Sequence, residues 1–184
     1  ERGMGFCIFN NVAVLARYLQ KRHGIERVAI VDWDVHHGNG TQEAFYEDPT
    51  VFYFSIHQFP HYPGSGSESE RGAGPGEGFT LNVPLAAGAG DREYLDAFKE
   101  KLVPALEEFR PQFVLISAGF DAHRDDPLSG MQVTEKGFRQ MTELVAGIAN
   151  RHASGRIISM LEGGYNLEAL PRSVEAHIRA LLKD

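Results

Sequence analysis

Val28-Ala29-Ile30-Val31-Asp32-Trp33-Asp34-Val35-His36-His37-Gly38-Asn39-Gly40 decides both the fold and the chemistry of this chain. Its first four residues form an unbroken apolar run rich in β-branched side chains, the pattern of a strand buried on both faces of a parallel sheet. Within a few residues the composition turns to carboxylates, imidazoles and glycines. Ligands of parallel α/β sheets bind beyond the carboxyl ends of the strands, so this stretch reads as a buried strand running into a site. Asp34 and His36 are two apart on an extended segment and project to the same side, which lets a carboxylate and an imidazole converge on one metal ion. Asp32, on the same face, is placed to orient a ligand by accepting a hydrogen bond.

Working outward, Val12, Leu15, Ala16 and Leu19 follow a helical period and predict an amphipathic helix ending near Gly24. Residues 51–54, 79–83, 113–116 and 157–161 read as further strands. Asp91 is an expected N-cap for a helix with Leu95, Phe98, Leu102, Leu106 and Phe109 on one stripe and a kink at Pro104. A helix from Thr134 buries Phe138, Met141, Leu144, Val145 and Ile148, and a last one runs from about Leu167 to Leu182. Residues 60–78, rich in Gly, Ser, Pro and Glu, predict a long functional loop. Strands alternating with helices predict a three-layer α/β/α fold with a mainly parallel sheet.

The other strand ends carry polar groups too. Ser55-Ile56-His57 follows residues 51–54, and Ala118-Gly119-Phe120-Asp121-Ala122-His123 follows 113–116. Glu162-Gly163-Gly164-Tyr165-Asn166 follows 157–161. Asp121 is the natural third ligand beside Asp34 and His36. Two aspartates, one histidine and an open position suit catalytic zinc, with iron(II) as the alternative. The glycine pair lets backbone approach the site and present Tyr165, whose hydroxyl suits an oxyanion on a polarised carbonyl.

Bulk properties narrow the classes. A net charge of −7 over 184 residues argues against a nucleic-acid surface, and no apolar run reaches the ~18 residues of a membrane span. Cys7 is the sole cysteine, so no internal disulfide forms, and a cytosolic location is the expectation. Oligomeric state is not legible.

These stretches, with Gly3-Met4-Gly5-Phe6-Cys7-Ile8-Phe9-Asn10-Asn11 and Arg124-Asp125-Asp126-Pro127-Leu128, resemble the motifs of zinc-dependent histone deacetylases. Asn39 and Glu162 point to the class II and bacterial deacetylase-like branch. The resemblance implies an arginase/deacetylase fold, zinc held by Asp34, His36 and Asp121, and Tyr165 as the catalytic tyrosine. It implies an acyl-lysine slot walled by Phe6 and Tyr62, with Leu128 at the rim and Gly164 beside the substrate. It further implies a structural potassium near Asp32, His36 and Ser55, with Asn39 close by. The implied substrates are acetylated lysine in a protein or peptide, or a small acetylated amine.

The family's tandem histidine pair, its general base and acid, precedes the segment matching Gly5-Phe6. The expectation is therefore that residues 1–184 are the C-terminal portion of a single deacetylase domain, incomplete at the N-terminus and silent alone. Three rival readings are weighed. Acetylpolyamine amidohydrolases share the motifs, and an incomplete site could bind zinc and an acyl ligand without turnover. Haloacid-dehalogenase-type phosphatases share the Asp-x-Asp start but leave His36-His37-Gly38 and Gly163-Gly164-Tyr165 unexplained.

Overall fold

The computed structural model of the chain describes residues 3–182. Strands β1 (Val28–Asp32), β2 (Val51–Gln58), β3 (Thr80–Leu85), β4 (Phe113–Ala118) and β5 (Ile157–Leu161) form one sheet in the order β3-β2-β1-β4-β5. Every neighbouring pair is parallel, so all carboxyl ends lie along one edge. The central strand β1 is buried at every position, as its unbroken apolar run requires.

Helices α1 (Asn11–His23) and α2 (Asn39–Phe45) cover one face, where Val12, Ala16 and Phe45 pack on Val28, Ile30, Val51, Tyr53 and Leu115. The other face carries α3 (Asp91–Ala97), α4 (Val103–Phe109), α5 (Glu135–His152) and α6 (Ala169–Leu181) over Ala29, Val31, Phe54, Val114 and Ile116. The result is the three-layer α/β/α arrangement expected. Among the described residues, no helix is long and apolar enough to cross a membrane.

Local signals explain most boundaries. Asn10 caps α1 by accepting from the Ala13 amide, and Gly24 ends it in a left-handed conformation, φ 64°. Thr134 caps α5 by accepting from the Gly137 amide. Asp91, in contrast, is not the N-cap of α3. Gly90 holds that place, and the Asp91 carboxylate instead accepts from Thr134 N at 2.8 Å and Thr134 Oγ1 at 2.7 Å, tying α3 to the start of α5. The disturbance expected from Pro104 takes the form of a π-helical turn, Phe98–Leu102, just ahead of it: the proline has no N–H for the Glu100 carbonyl four residues back and its ring crowds that carbonyl. Strand β2 extends past its apolar half, so Ser55 and His57 belong to the strand. Helix α2 has no apolar stripe in sequence and was not expected.

Candidate metal centre

The end of β1 delivers Asp34 and His36, and the end of β4 delivers Asp121. Their candidate ligand atoms all lie within 4.8 Å of one another. His36 Nδ1 sits 3.0 Å from Asp34 Oδ1 and 3.1 Å from Asp121 Oδ2. Main-chain donors fix the carboxylates around this point. Val35 N–H donates to Asp121 Oδ1 at 2.8 Å, His36 N–H to Asp34 Oδ1 at 2.8 Å, and Gly163 N–H to Asp34 Oδ2 at 2.8 Å. Asp32 orients the first ligand through the backbone, its Oδ1 accepting from Asp34 N at 3.1 Å while its Oδ2 accepts from the Tyr53 hydroxyl at 3.0 Å.

The electrostatics fit a divalent cation. Asp121 is fully buried, and among the described residues the only polar group facing its Oδ2 is the His36 imidazole. Burial and then the Asp34 charge push its carboxyl up to about 7. On His36, burial opposes the charge, yet hydrogen bonds and charge from Asp121 and Asp34 raise it to about 10. A carboxyl and an imidazole both driven to hold protons around one buried point are compensated by a cation there. The backbone packs closely around these carboxylates. A Cβ on Gly119 or Gly163 would run into the Asp34 carboxylate, and one on Gly163 into Asp121 as well.

An open cleft of 1460 Å³ borders this centre. That exceeds the roughly 300–1,000 Å³ of small-ligand pockets. Asp34, His36, Phe6, Tyr62, Leu128, Tyr165, Asn39, Asp32 and Gly163 all line it. Tyr62 accepts from Gly5 N–H at 3.1 Å and stands edge-on to His36, ring centres 6.1 Å apart. Phe6 is 90% exposed and meets the Tyr165 ring edge-on at 6.3 Å. Leu128 is exposed at the mouth. Burial and the charges of Asp121 and Asp34 push the Tyr165 phenol up to about 12, so it keeps its proton.

Three other sequence candidates make their contacts outside the Asp34–His36–Asp121 triad. Gly164, at φ 142°, turns toward Leu170 and Phe120, and it is Gly163 that lines the cleft. Ser55 pairs with Asp32 across β1 and β2, but its hydroxyl contacts His57 Nδ1 at 3.0 Å beneath the cleft. Asn39 opens α2 and donates from Nδ2 to Met4 Sδ at 3.6 Å.

Sequence reading missed the network below. His37 meets Ser65 Oγ at 2.8 Å and Gln42 Oε1 at 3.0 Å. Gln42 Nε2 donates to Glu70 Oε2 at 2.6 Å, and Glu70 accepts from the Gly66 and Ser67 amides. Burial, then His37, lowers His57 to about 4, a neutral imidazole against the Gly66 carbonyl at 2.9 Å. This network secures the 60–78 loop, which stacks His61 on His36 at 5.1 Å and carries Tyr62. The only hint in sequence was Gly66, whose φ of 92° and close approach to both imidazoles exclude a side chain. Asp126 was also missed: its carboxylate accepts from Tyr165 N at 2.7 Å and Leu128 N at 2.9 Å.

Comparison with known proteins agrees with this geometry. The family model "Histone deacetylase domain" matches residues 1–181. The chain is 50% identical over 182 residues to "Histone deacetylase 10, chloroplastic" of Oryza sativa subsp. japonica, covering 99% of this chain and 41% of the relative. It is 47% identical over 174 residues to "Histone deacetylase-like amidohydrolase" of Pseudomonas aeruginosa, covering 93% and 45%. The crystal structure of the HDA15 HD domain superposes with a TM-score of 0.93 at 45% identity, over 98% of this chain and 51% of that one. The chain thus spans less than half the length of these two curated relatives. With the family's domain matched over residues 1–181 and its fold shared with the HDA15 domain, the chain belongs to the histone deacetylase family.

Proposed function

We propose that this chain forms the metal-binding and oxyanion-binding portion of a zinc-dependent hydrolase that removes acetyl or related acyl groups from lysine side chains. The observation that carries this reading is the convergence of Asp34, His36 and Asp121 within 4.8 Å, in the cleft that Tyr165 also lines.

These three residues would hold the zinc, with iron(II) as an alternative. A metal so held supplies Lewis-acid polarisation of an acyl carbonyl and lowers the pKa of nearby water. Tyr165, kept protonated, donates its hydroxyl hydrogen to the carbonyl oxygen as negative charge develops there. Phe6 and Tyr62 flank the linear side chain that presents the amide. Asp32 holds the Asp34 backbone in register, and together with Ser55 and His36 it belongs to the segment we assign to a structural potassium. In the family pattern the general base and acid are a tandem histidine pair, and we assign residues 1–184 the metal-binding and oxyanion-binding share of the reaction.

The full-length protein, purified with zinc, is tested against an acetyl-lysine peptide, acetylspermidine and a phosphoester. Metal-dependent release of acetate from the peptide is the expected result. Phosphoester hydrolysis without amide hydrolysis, or unchanged zinc content in Asp121→Ala, overturns the reading.

A further inference from the structure

Asp126 lies beside the cleft, bonded to the backbone of its lining residues Tyr165 and Leu128, and the proposed reaction does not use it. It is buried, with 6% of its surface exposed, and among the described residues it forms no ion pair. An unpaired buried charge is costly unless hydrogen bonds hold it. Here both oxygens are held by main-chain donors from different loops. Oδ2 accepts from Tyr165 N and Oδ1 from Leu128 N.

Two further contacts brace the same junction. Asn166 Nδ2 donates to the Asp125 carbonyl at 2.7 Å, and Ser129 Oγ donates to the carbonyl of Asp121 at 2.6 Å. Gly130 N–H reaches Gln58 Oε1 at 2.8 Å, pinning the far end of the rim loop to β2. The rim and the tyrosine loop therefore meet at one carboxylate, and Ser129 ties the rim to Asp121, the residue bearing the third candidate ligand atom.

We propose that Asp126 is a positioning residue: by accepting from both the Tyr165 and the Leu128 amides, it fixes the tyrosine relative to the rim that seats the substrate. This rests on the deacylase reading for its consequence in catalysis, though not for the coupling of the two loops. Only a carboxylate serves here. An asparagine must turn its NH2 toward one of two N–H donors, so one loop loses its anchor and faces a repelling dipole. Misplacing a reacting group by about 1 Å costs up to ~10²-fold in rate, so the tyrosine's effectiveness depends on this anchor.

The test uses the full-length, zinc-loaded protein and its Asp126→Asn variant. Amide hydrogen exchange at positions 128 and 165, zinc content, and kcat and KM on an acetyl-lysine peptide are measured together. The expected outcome is exchange faster by about 10-fold or more at Tyr165 and Leu128, with zinc content retained. Turnover should fall by roughly 10- to 100-fold in kcat, with KM within about twofold. Unchanged exchange at Tyr165, or kcat within about twofold of the parent, overturns the proposal. If the parent itself releases no acetate from lysine, the deacylase reading fails while the exchange data still decide the coupling. Should Asp126→Asn fail to fold, Asp126→Glu carries the same measurements, its oxygens displaced by one methylene.

Discussion

The main-chain N–H of Gly163 donates to Asp34 Oδ2 at 2.8 Å, joining the loop after β5 to the loop after β1 across 129 residues of sequence. Strand β4 lies between these two strands. The contact therefore closes a ring over the metal centre, with Asp121 from β4 beneath it. One oxygen of Asp34 is held by a residue whose only contribution is its backbone and its lack of a side chain.

Gly163→Ala should accordingly weaken zinc binding. The added Cβ collides with the carboxylates of Asp34 and Asp121, and one of them must turn away. Loss of such ligand-orienting contacts is worth about 10- to 100-fold in metal affinity. Competition with a chromogenic chelator measures it, and affinity within twofold of the parent refutes the close-approach argument.

Tyr165→Phe should keep zinc and lose ~10²–10³ in kcat, the scale of one oxyanion donor. The ring packing against Phe6 survives this change. A defect confined to KM would instead assign the hydroxyl to substrate binding.

Acid should destabilise the fold through its buried histidines. Burial lowers His177 to about 4, and burial with His37 lowers His57 to about 4, against an ordinary 6.5. Below pH 6.5 the unfolded chain takes up protons that the folded chain refuses. Stability is complete above 6.5 and is lost as pH falls toward 4, by roughly 3 kcal/mol per histidine at most. Urea midpoints between pH 7.5 and 4.5 follow this loss, and His177→Gln should flatten the slope. His177 bonds Thr142 Oγ1 at 2.7 Å and Ser159 Oγ at 2.9 Å, so the variant also lowers the neutral-pH midpoint.

Leu128→Glu should shift substrate preference from acetyl-lysine peptides toward acetylated polyamines. Leu128 lines the cleft at its exposed mouth, and an apolar rim offers nothing to a second ammonium group. One counter-charge near a surface is worth up to ~1 kcal/mol, about fivefold in kcat/KM. An unmoved ratio places selectivity elsewhere.

The sheet was legible because most strands announced themselves by runs of β-branched or aromatic residues, and the candidate metal centre because its residues are local to two strand ends. What escaped depends on pairing over distance. Asp91 resembles an N-cap, but Thr134, 43 residues away, claims its carboxylate. Ser55 and His57 looked like loop chemistry, yet β3 extends the pairing through both of them, Ser55 opposite Asn82 and His57 opposite Pro84. Helix α2 lacks an apolar stripe because Thr41 and Gln42 are buried among polar partners. Asp126 stands inside a quoted motif, yet its role is not legible there, since its two partners are backbone amides.

With every strand parallel, the reactive groups crowd one rim of the sheet and leave the opposite rim chemically mute. There the α5–β5 turn passes through Ser154 and Gly155, both left-handed at φ 53° and 72° and both open to solvent. That corner is a natural port for engineering. A fluorophore, affinity tag or inserted reporter domain placed at it sits a full strand length from Asp34, His36 and Asp121, so occupancy of the cleft can be followed optically without altering the apparatus being watched.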